Sequence, residues 1–318
     1  MKKAYLILMS FALLTLSVGC SEEALTPSDP QEFVEFPQGD NAYDAEFVAF
    51  YEDYGTYVLY DYGETDFRWN VTAMLPYYPT APEMSAVSDV WNFFTARCLT
   101  VWPDDFLRSY LPTKIFLASD IYDKKTSWVW DPNTQTSTQQ EVVDKHYDAI
   151  YGFNHLSIGV VNSSFATKSD ADKLKAVGQF SCALVGYATS RGLMDIPQEF
   201  KDLYTQGTQT GSNSDYSGQW GYSGRGHLEY NAAIDVYYDF GLYVKYLTTM
   251  SQEAYEAWAY DPNFDAGSSW DSSIGEWGDY VYHYYIKQKT AVVLDFFQKE
   301  YGINLHEMGN RAASIVGE

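Results

Sequence analysis

The apolar positions of the chain change rhythm several times. Ala4 to Leu16 is a nearly unbroken apolar run, interrupted only by Ser10 and Thr15. It lies behind a basic Met1-Lys2-Lys3 start and ahead of the short stretch Leu16-Ser17-Val18-Gly19-Cys20. A charged start, an apolar centre and small residues before a cut describe a secretory signal over residues 1–19, too short for a stable membrane span. Residues 20–42 carry Pro27, Pro30, Pro37 and several acids, and read as a flexible tether. Phe47, Phe50, Tyr51 and Tyr54 then recur at helical spacing, with Gly55 as a stop. β-rich runs at 56–60 and 67–71 predict strands, and the prolines of 76–82 predict a loop. A helix is predicted over 84–100, with Val87, Val90, Trp91, Phe94 and Cys98 on one side, and Pro103 interrupts before a short turn to Tyr110. Strands follow at 114–118 and 156–161, and the polar, Thr/Gln-rich 131–140 reads as a loop or hairpin tip.

The clearest helix spans 169–190. Ala171, Leu174, Val177, Phe180 (or Ser181), Leu184, Val185 and Ala188 hold a helical period, Ser169 can cap it and Gly192 can end it. Residues 207–226 turn to Gly, Ser, Thr, Asn and Tyr without apolar period, a long insert of the kind that carries function or moves. Helices are predicted over 230–247, 252–258, 278–300 and 304–315, with a second polar loop at 261–275. Strands mixed with helices early and helices late predict an α+β domain over 43–318, with an α/β lobe over about 43–165 and a helical lobe over about 166–318.

Composition narrows the class. Of 318 residues, 46% are hydrophobic and 20% charged, which fits a globular domain and argues against disorder. Aromatics reach 18%, with 29 Tyr and 9 Trp, so tyrosine-rich packing or exposed aromatic surface is expected. The formal charge is −23, and −25 once Lys2 and Lys3 leave with the signal. A polyanion of this size is repelled by phosphate backbones, which excludes nucleic acid as a partner. After the leader, Cys98 and Cys182 remain, both in apolar, helix-like contexts. They could pair in an oxidising compartment, but two buried free thiols is the simpler reading.

Catalytic signatures are missing. His146, His155, His227, His283 and His306 include no pair at i, i+4, so no His-Glu-x-x-His places two zinc ligands beside a base. There is no Gly-x-Ser-x-Gly, no P-loop and no dinucleotide fingerprint. A lone histidine is read as a satisfied structural residue.

Cys20 directly after Val-Gly resembles the lipobox of bacterial lipoproteins, in which that cysteine is lipidated and anchors the chain. Ser21-Glu22-Glu23 resembles the acidic tag that sends Bacteroidetes-type lipoproteins to the outer face of the outer membrane. In the domain, Gly55-Thr56-Tyr57-Val58-Leu59-Tyr60 with Asp66-Phe67-Arg68-Trp69-Asn70, Leu111-Pro112-Thr113-Lys114-Ile115-Phe116-Leu117, Ile196-Pro197-Gln198-Glu199-Phe200, Lys287-Gln288-Lys289 and Tyr301-Gly302-Ile303-Asn304-Leu305 occur in an order similar to the zinc metallohydrolase lipoproteins of Bacteroidetes substrate import, a metallopeptidase group. The resemblance covers most of 45–315 and implies a zincin-like α+β fold.

Active members carry His-Glu-Phe-x-His on the helix before Ile-Pro-x-Glu-Phe. The matching residues here are Gly178-Gln179-Phe180-Ser181-Cys182. Gly178 stands for the first zinc histidine, Gln179 for the glutamate and Cys182 for the second histidine. On the later helix Asp239-Phe240-Gly241-Leu242 matches an Asp-Phe-Ala-Glu pattern, with Leu242 in place of the carboxylate. Glycine and leucine offer no ligand atom, and a glutamine amide cannot take a proton from zinc-bound water. Zinc is the family's cofactor, but its ligands are missing here, so no cofactor is expected.

Replacement sites are few. Asp235 and Asp239 at i, i+4 could reach one ion, though a solvated helix face is the simpler reading. Asp261, Asn263 and Asp265 alternate like a calcium loop, but the glycine falls at the seventh place and Ser272 stands where a bidentate Glu is needed. Glu199 fits helix capping, and His227 with Glu229 is the best acid–base pair on offer. Trp220, Tyr222, Trp270 and Trp277, in or beside Gly/Ser loops, could contact a peptide or glycan. The expectation is an outer-membrane lipoprotein, anchored through Cys20, facing the exterior, non-catalytic and accessory to an import complex. The alternative is a hydrolase with a relocated site.

Overall fold

The computed structural model describes residues 35–209, 228–229, 235–260, 270–271, 276–277 and 279–314. The expected leader, Cys20 and most of the expected tether lie outside these residues. In chain order the elements are α1 (Ala42–Tyr54), β1 (Tyr57–Leu59), α2 (Glu64–Arg68), β2 (Tyr78–Thr80), α3 (Val87–Arg97), α4 (Asp104–Tyr110), β3 (Lys114–Leu117), β4 (Asp120–Asp131), β5 (Thr136–His146), β6 (Ala149–Tyr151), β7 (His155–Ile158), α5 (Ser164–Thr167), α6 (Asp170–Ser190), α7 (Gln198–Gln209), α8 (Val236–Leu247), α9 (Gln252–Ala259), β8 (Trp270–Asp271), β9 (Glu276–Trp277), α10 (Asp279–Tyr301) and α11 (Leu305–Ser314). All belong to the unit that begins at Pro37. The chain is α+β, with its helical half at the C-terminal end. No helix among the described residues is long and apolar enough to cross a membrane.

Two sheets form the first half. In the order β1-β3-β7-β6, β1, β3 and β7 run parallel and β6 is antiparallel to β7. Ile115, Phe116, Leu117, Leu156 and Ile158 are buried, the near-continuous apolar pattern of strands covered on both faces. α6 packs on β6 and β7, and α1 on β1. α6 begins where Ser169 accepts from the Asp172 amide at 3.2 Å and ends before Gly192, which takes a left-handed φ of 68°. Aromatic contacts fill the core under α1 and α3, with Trp91 edge-on to Phe47 and Phe50, each at 5.2 Å.

Local chemistry overrides the β-rich run at 67–71. Phe67 and Arg68 end a short helix instead, because Asp66 accepts from the Gly63 amide and Glu64 pairs with Arg68 at 2.6 Å one turn on. The expected loop at 76–82 contains β2, whose Pro79 is tolerated on an edge strand. Residues 131–140, expected as a loop or hairpin tip, are the tip of a hairpin. β4 and β5 form a long antiparallel hairpin that turns at 132–135, in the order β2-β4-β5.

His155, expected to be a satisfied structural residue, is fully buried with neither ring nitrogen hydrogen-bonded. Phe67 and Phe116 lie against it at 5.2 and 4.9 Å. Burial, helped by the charges of Lys114 and Arg191, pushes its pKa down to about 3. The ring therefore stays neutral in the fold and protonates in the unfolded chain. Stability through this group is complete above the ordinary histidine range, near 6.5, and falls with acid until about pH 3, where the folded ring also charges. In urea unfolding, His155→Leu is expected to lose about 2–3 kcal/mol less than the wild type between pH 7 and about 4.5.

Candidate functional site

The positions singled out by sequence meet where α6 crosses α8. A methyl group at Gly178 would lie 2.9 Å from Lys245 Cγ and 3.2 Å from the Lys245 carbonyl oxygen. A methyl group at Gly241 would lie 2.8 Å from Cys182 Sγ and 3.0 Å from the Cys182 carbonyl. Each helix thus presents a glycine to the other, and the backbones approach until side-chain stems touch. The space at 178 does not admit an imidazole without moving the helices apart.

Around this contact the polar side chains close on one another. Lys245 Nζ donates to Gln179 Oε1 at 3.0 Å and to Glu229 Oε1 at 2.5 Å. The Tyr246 hydroxyl donates to the same Glu229 oxygen at 2.7 Å. Tyr238, in the first turn of α8, lies near the Gln179 side chain. Lys245 is 12% exposed and Glu229 27%, so the cluster is lidded by protein and reaches solvent through Glu229.

The electrostatics favour neutral or paired forms throughout. Burial pushes the Cys182 thiol up to about 12, with Lys245 pulling weakly the other way. Burial also holds the Tyr238 phenol well above its ordinary range, and the nearby Cys182 and Glu229 add to this. Tyr246 is raised first by burial, then by the charge and hydrogen bond of Glu229. At neutral pH the cluster holds a protonated thiol, two protonated phenols, an amide and an ion pair. None of these is an activated nucleophile or a free general base.

Gly178, Gln179 and Cys182 all lie at the crossing. Leu242 is fully buried on α8, but the residue that meets Cys182 is its neighbour Gly241. Cys98 and Cys182 are both buried free thiols, and Cys98 contacts Ser181 at 3.5 Å. Asp235 and Asp239 have different partners. Asp235 caps α8, accepting from the Tyr238 amide at 2.7 Å, a task that fixes its carboxylate at the helix end. Asp239 is fully buried and accepts from Lys289 Nζ at 2.6 Å, with the ammonium 5.3 Å from the Phe200 ring. Among the described residues no group of three or more His, Cys, Asp or Glu could hold a metal ion. Glu229 is engaged by Lys245 and Tyr246, while His227 lies outside the described residues. So do Asp261, Asn263 and Asp265, as well as Trp220 and Tyr222. Trp270 and Trp277 are opposite each other in the β8–β9 ladder, and their side chains are outside the description. Glu199 is in the first turn of α7, where a carboxylate suits the helix dipole.

Sequence reasoning missed Lys245, Tyr238 and Tyr246. One signal was present. Gly178 and Cys182 are i, i+4 on one helix, and Gly241 and Lys245 are i, i+4 on the other, two pairs that can face each other.

No family model matches the chain, and no curated protein matches it. Among solved structures the chain is similar to a candidate zinc-binding metallo-peptidase from Bacteroides caccae. The identity is 12%, the match covers 88% of this chain and 95% of that one, and the TM-score is 0.49. Likeness at this level assigns neither family nor activity.

Two stability outcomes follow from the packing. Gly178→Ala is expected to lose about 1–3 kcal/mol in chemical denaturation, because the new methyl meets Lys245 and its carbonyl. Lys289→Met is expected to lose about 3–5 kcal/mol by the same measurement, since it leaves the Asp239 carboxylate buried without its ammonium.

Proposed function

We propose that this chain is a lipid-anchored outer-membrane protein, related to zinc metallohydrolases, whose metal site is degenerate at Gly178, Gln179, Cys182 and Leu242. It works as a non-catalytic binding or accessory component of substrate import, held to the membrane through Cys20 and facing the exterior. A peptide or a glycan is the ligand class such a role calls for.

One observation supports this reading. The Lys245 ammonium lies between Gln179 and Glu229, beside the helix position that the resemblance gives to the metal ligands. A fixed positive charge there repels a divalent cation, and the carboxylate within reach is already neutralised by it. The donor set does not fit zinc, which needs three or four thiolate, imidazole or carboxylate ligands. Glycine supplies none, the glutamine oxygen accepts from Lys245, and Cys182 is a buried thiol.

The test is metal content by mass spectrometry on untagged protein, dialysed after purification. Zinc is expected at far below one ion per chain. About one zinc per chain that survives dialysis would overturn the reading, because retention of that kind requires a built ligand set.

A further inference from the structure

β4 pairs with β2 only from Asp120 to Tyr122. Beyond the irregularity between Tyr122 and Lys124, the described pairing of β4 is with β5 alone, so the distal hairpin is a two-stranded ribbon. Trp128 is 67% exposed on this ribbon and Trp130 58%. A two-stranded ribbon in water gains little from its own ladder, and two solvated indoles add a hydration cost that packing does not explain.

The register defines the face. Trp128 is opposite Gln139 and Trp130 opposite Ser137, and partners in an antiparallel ladder share a side. Thr126 continues that side on β4. The two indoles are on alternate residues of one strand, hence about 7 Å apart at their origins. Charge is scarce here although the chain carries −23. From Thr126 to Gln140 only Asp131 is charged. On the tryptophan face the nearest charged positions are the acidic Glu141, one rung from Trp128, and Lys124, two rungs away.

These facts select among occupants. A polyanion needs cations beside the rings, and none is there. A protein partner needs about 800 Å² per side for a stable interface. Two part-exposed indoles offer roughly 300 Å². A neutral, hydroxyl-rich ligand matches what remains. The C–H faces of sugar rings pack flat on indole, and their hydroxyls suit the amide of Gln139 and the hydroxyls of Ser137 and Thr126.

We propose that the β4–β5 ribbon is a binding site for neutral glycan chains, with Trp128 and Trp130 as the stacking platform and Gln139 and Ser137 as hydrogen-bonding neighbours. This names a ligand class for the binding role proposed above, but it stands on other residues, so the zinc measurement leaves it untouched.

The experiment is affinity electrophoresis of the full chain in native gels containing soluble starch, a β-glucan, a galactomannan or an arabinoxylan, with alginate as the polyanion. At least one neutral polymer is expected to retard the wild type while alginate does not. Trp128→Ala/Trp130→Ala is expected to weaken that retardation at least about tenfold, with its thermal midpoint unchanged. Val129→Ala, on the opposite face, is expected to bind as the wild type does. No retardation by any neutral polymer, retardation by alginate alone, or full retardation of the double variant would each overturn the proposal. So would equal loss in Val129→Ala, which would assign the effect to the ribbon's fold.

Discussion

Where α6 crosses α8 each contact sets a glycine of one helix against a side chain of the other, and the separation of the two is fixed by Gly178 against Lys245 and Gly241 against Cys182. α6 carries this contact on one side and packs on β6 and β7 on another, so it joins the first sheet to the helical half. α8 in turn delivers Asp239 to Lys289 on α10, an ion pair with no exposed atom surface on either partner. A buried pair of this kind adds little net stability over apolar residues, yet it penalises any arrangement that separates its members. The crossing distance, the depth of α8 and the register of α10 are therefore coupled, and a change in the first must be accommodated by the other two.

That coupling bears on chemistry. A zinc site between two helices needs imidazoles or carboxylates about 2.0–2.2 Å from the ion, with the backbones far enough apart to hold them. Here the backbones have closed on glycine, and the remaining gap is filled by the stem of Lys245. Its ammonium, partly shielded from water, needs partners, and Gln179, Glu229 and the nearby Tyr246 hydroxyl organise around it. Strongly shifted titrating groups often mark active sites. In this cluster the shifts run toward the neutral forms of Cys182, Tyr238 and Tyr246, with burial the first cause of each. That is the electrostatics of a core, in which charge is avoided or paired. Placing histidines on α6 would not by itself build a metal site, because the helix spacing and Lys245 stand in the way.

What sequence could tell depended on where the apolar face points. α6 was legible almost to the residue, since one side of it meets the sheet and Ser169 and Gly192 mark its ends. β3 and β7 were legible as buried apolar runs. Of the β4–β5 ribbon only the tip was legible, because no core covers either side of its distal part and no alternation is imposed on its strands. The run at 67–71 misled because side-chain capping at Gly63 and Asp66 decides a short helix more strongly than β propensity does. The polar cluster was half legible. Gln179 and Cys182 were found by resemblance, but Lys245 comes from a distant helix, and no spacing within one element announces a partner in another. Asp235 and Asp239 looked like a pair by spacing alone. One is spent on the helix end and the other on Lys289, roles that become visible only when the helix start and its neighbours are placed.

The crossing and the ribbon are opposite answers to the problem of polar and aromatic groups. At the crossing, tyrosines and a lysine are drawn out of water and every charge is given a partner. On the ribbon, large apolar rings are left in water on a strand pair that gains no core by holding them. Selection for stability alone would replace Trp128 and Trp130 with threonine or another β-branched polar residue, which suits an exposed strand without hydration cost. Two indoles kept on one face, amid amides and hydroxyls, are accounted for by contact with something outside the domain. The interior of this fold explains itself through packing, whereas the ribbon is explained only by a ligand.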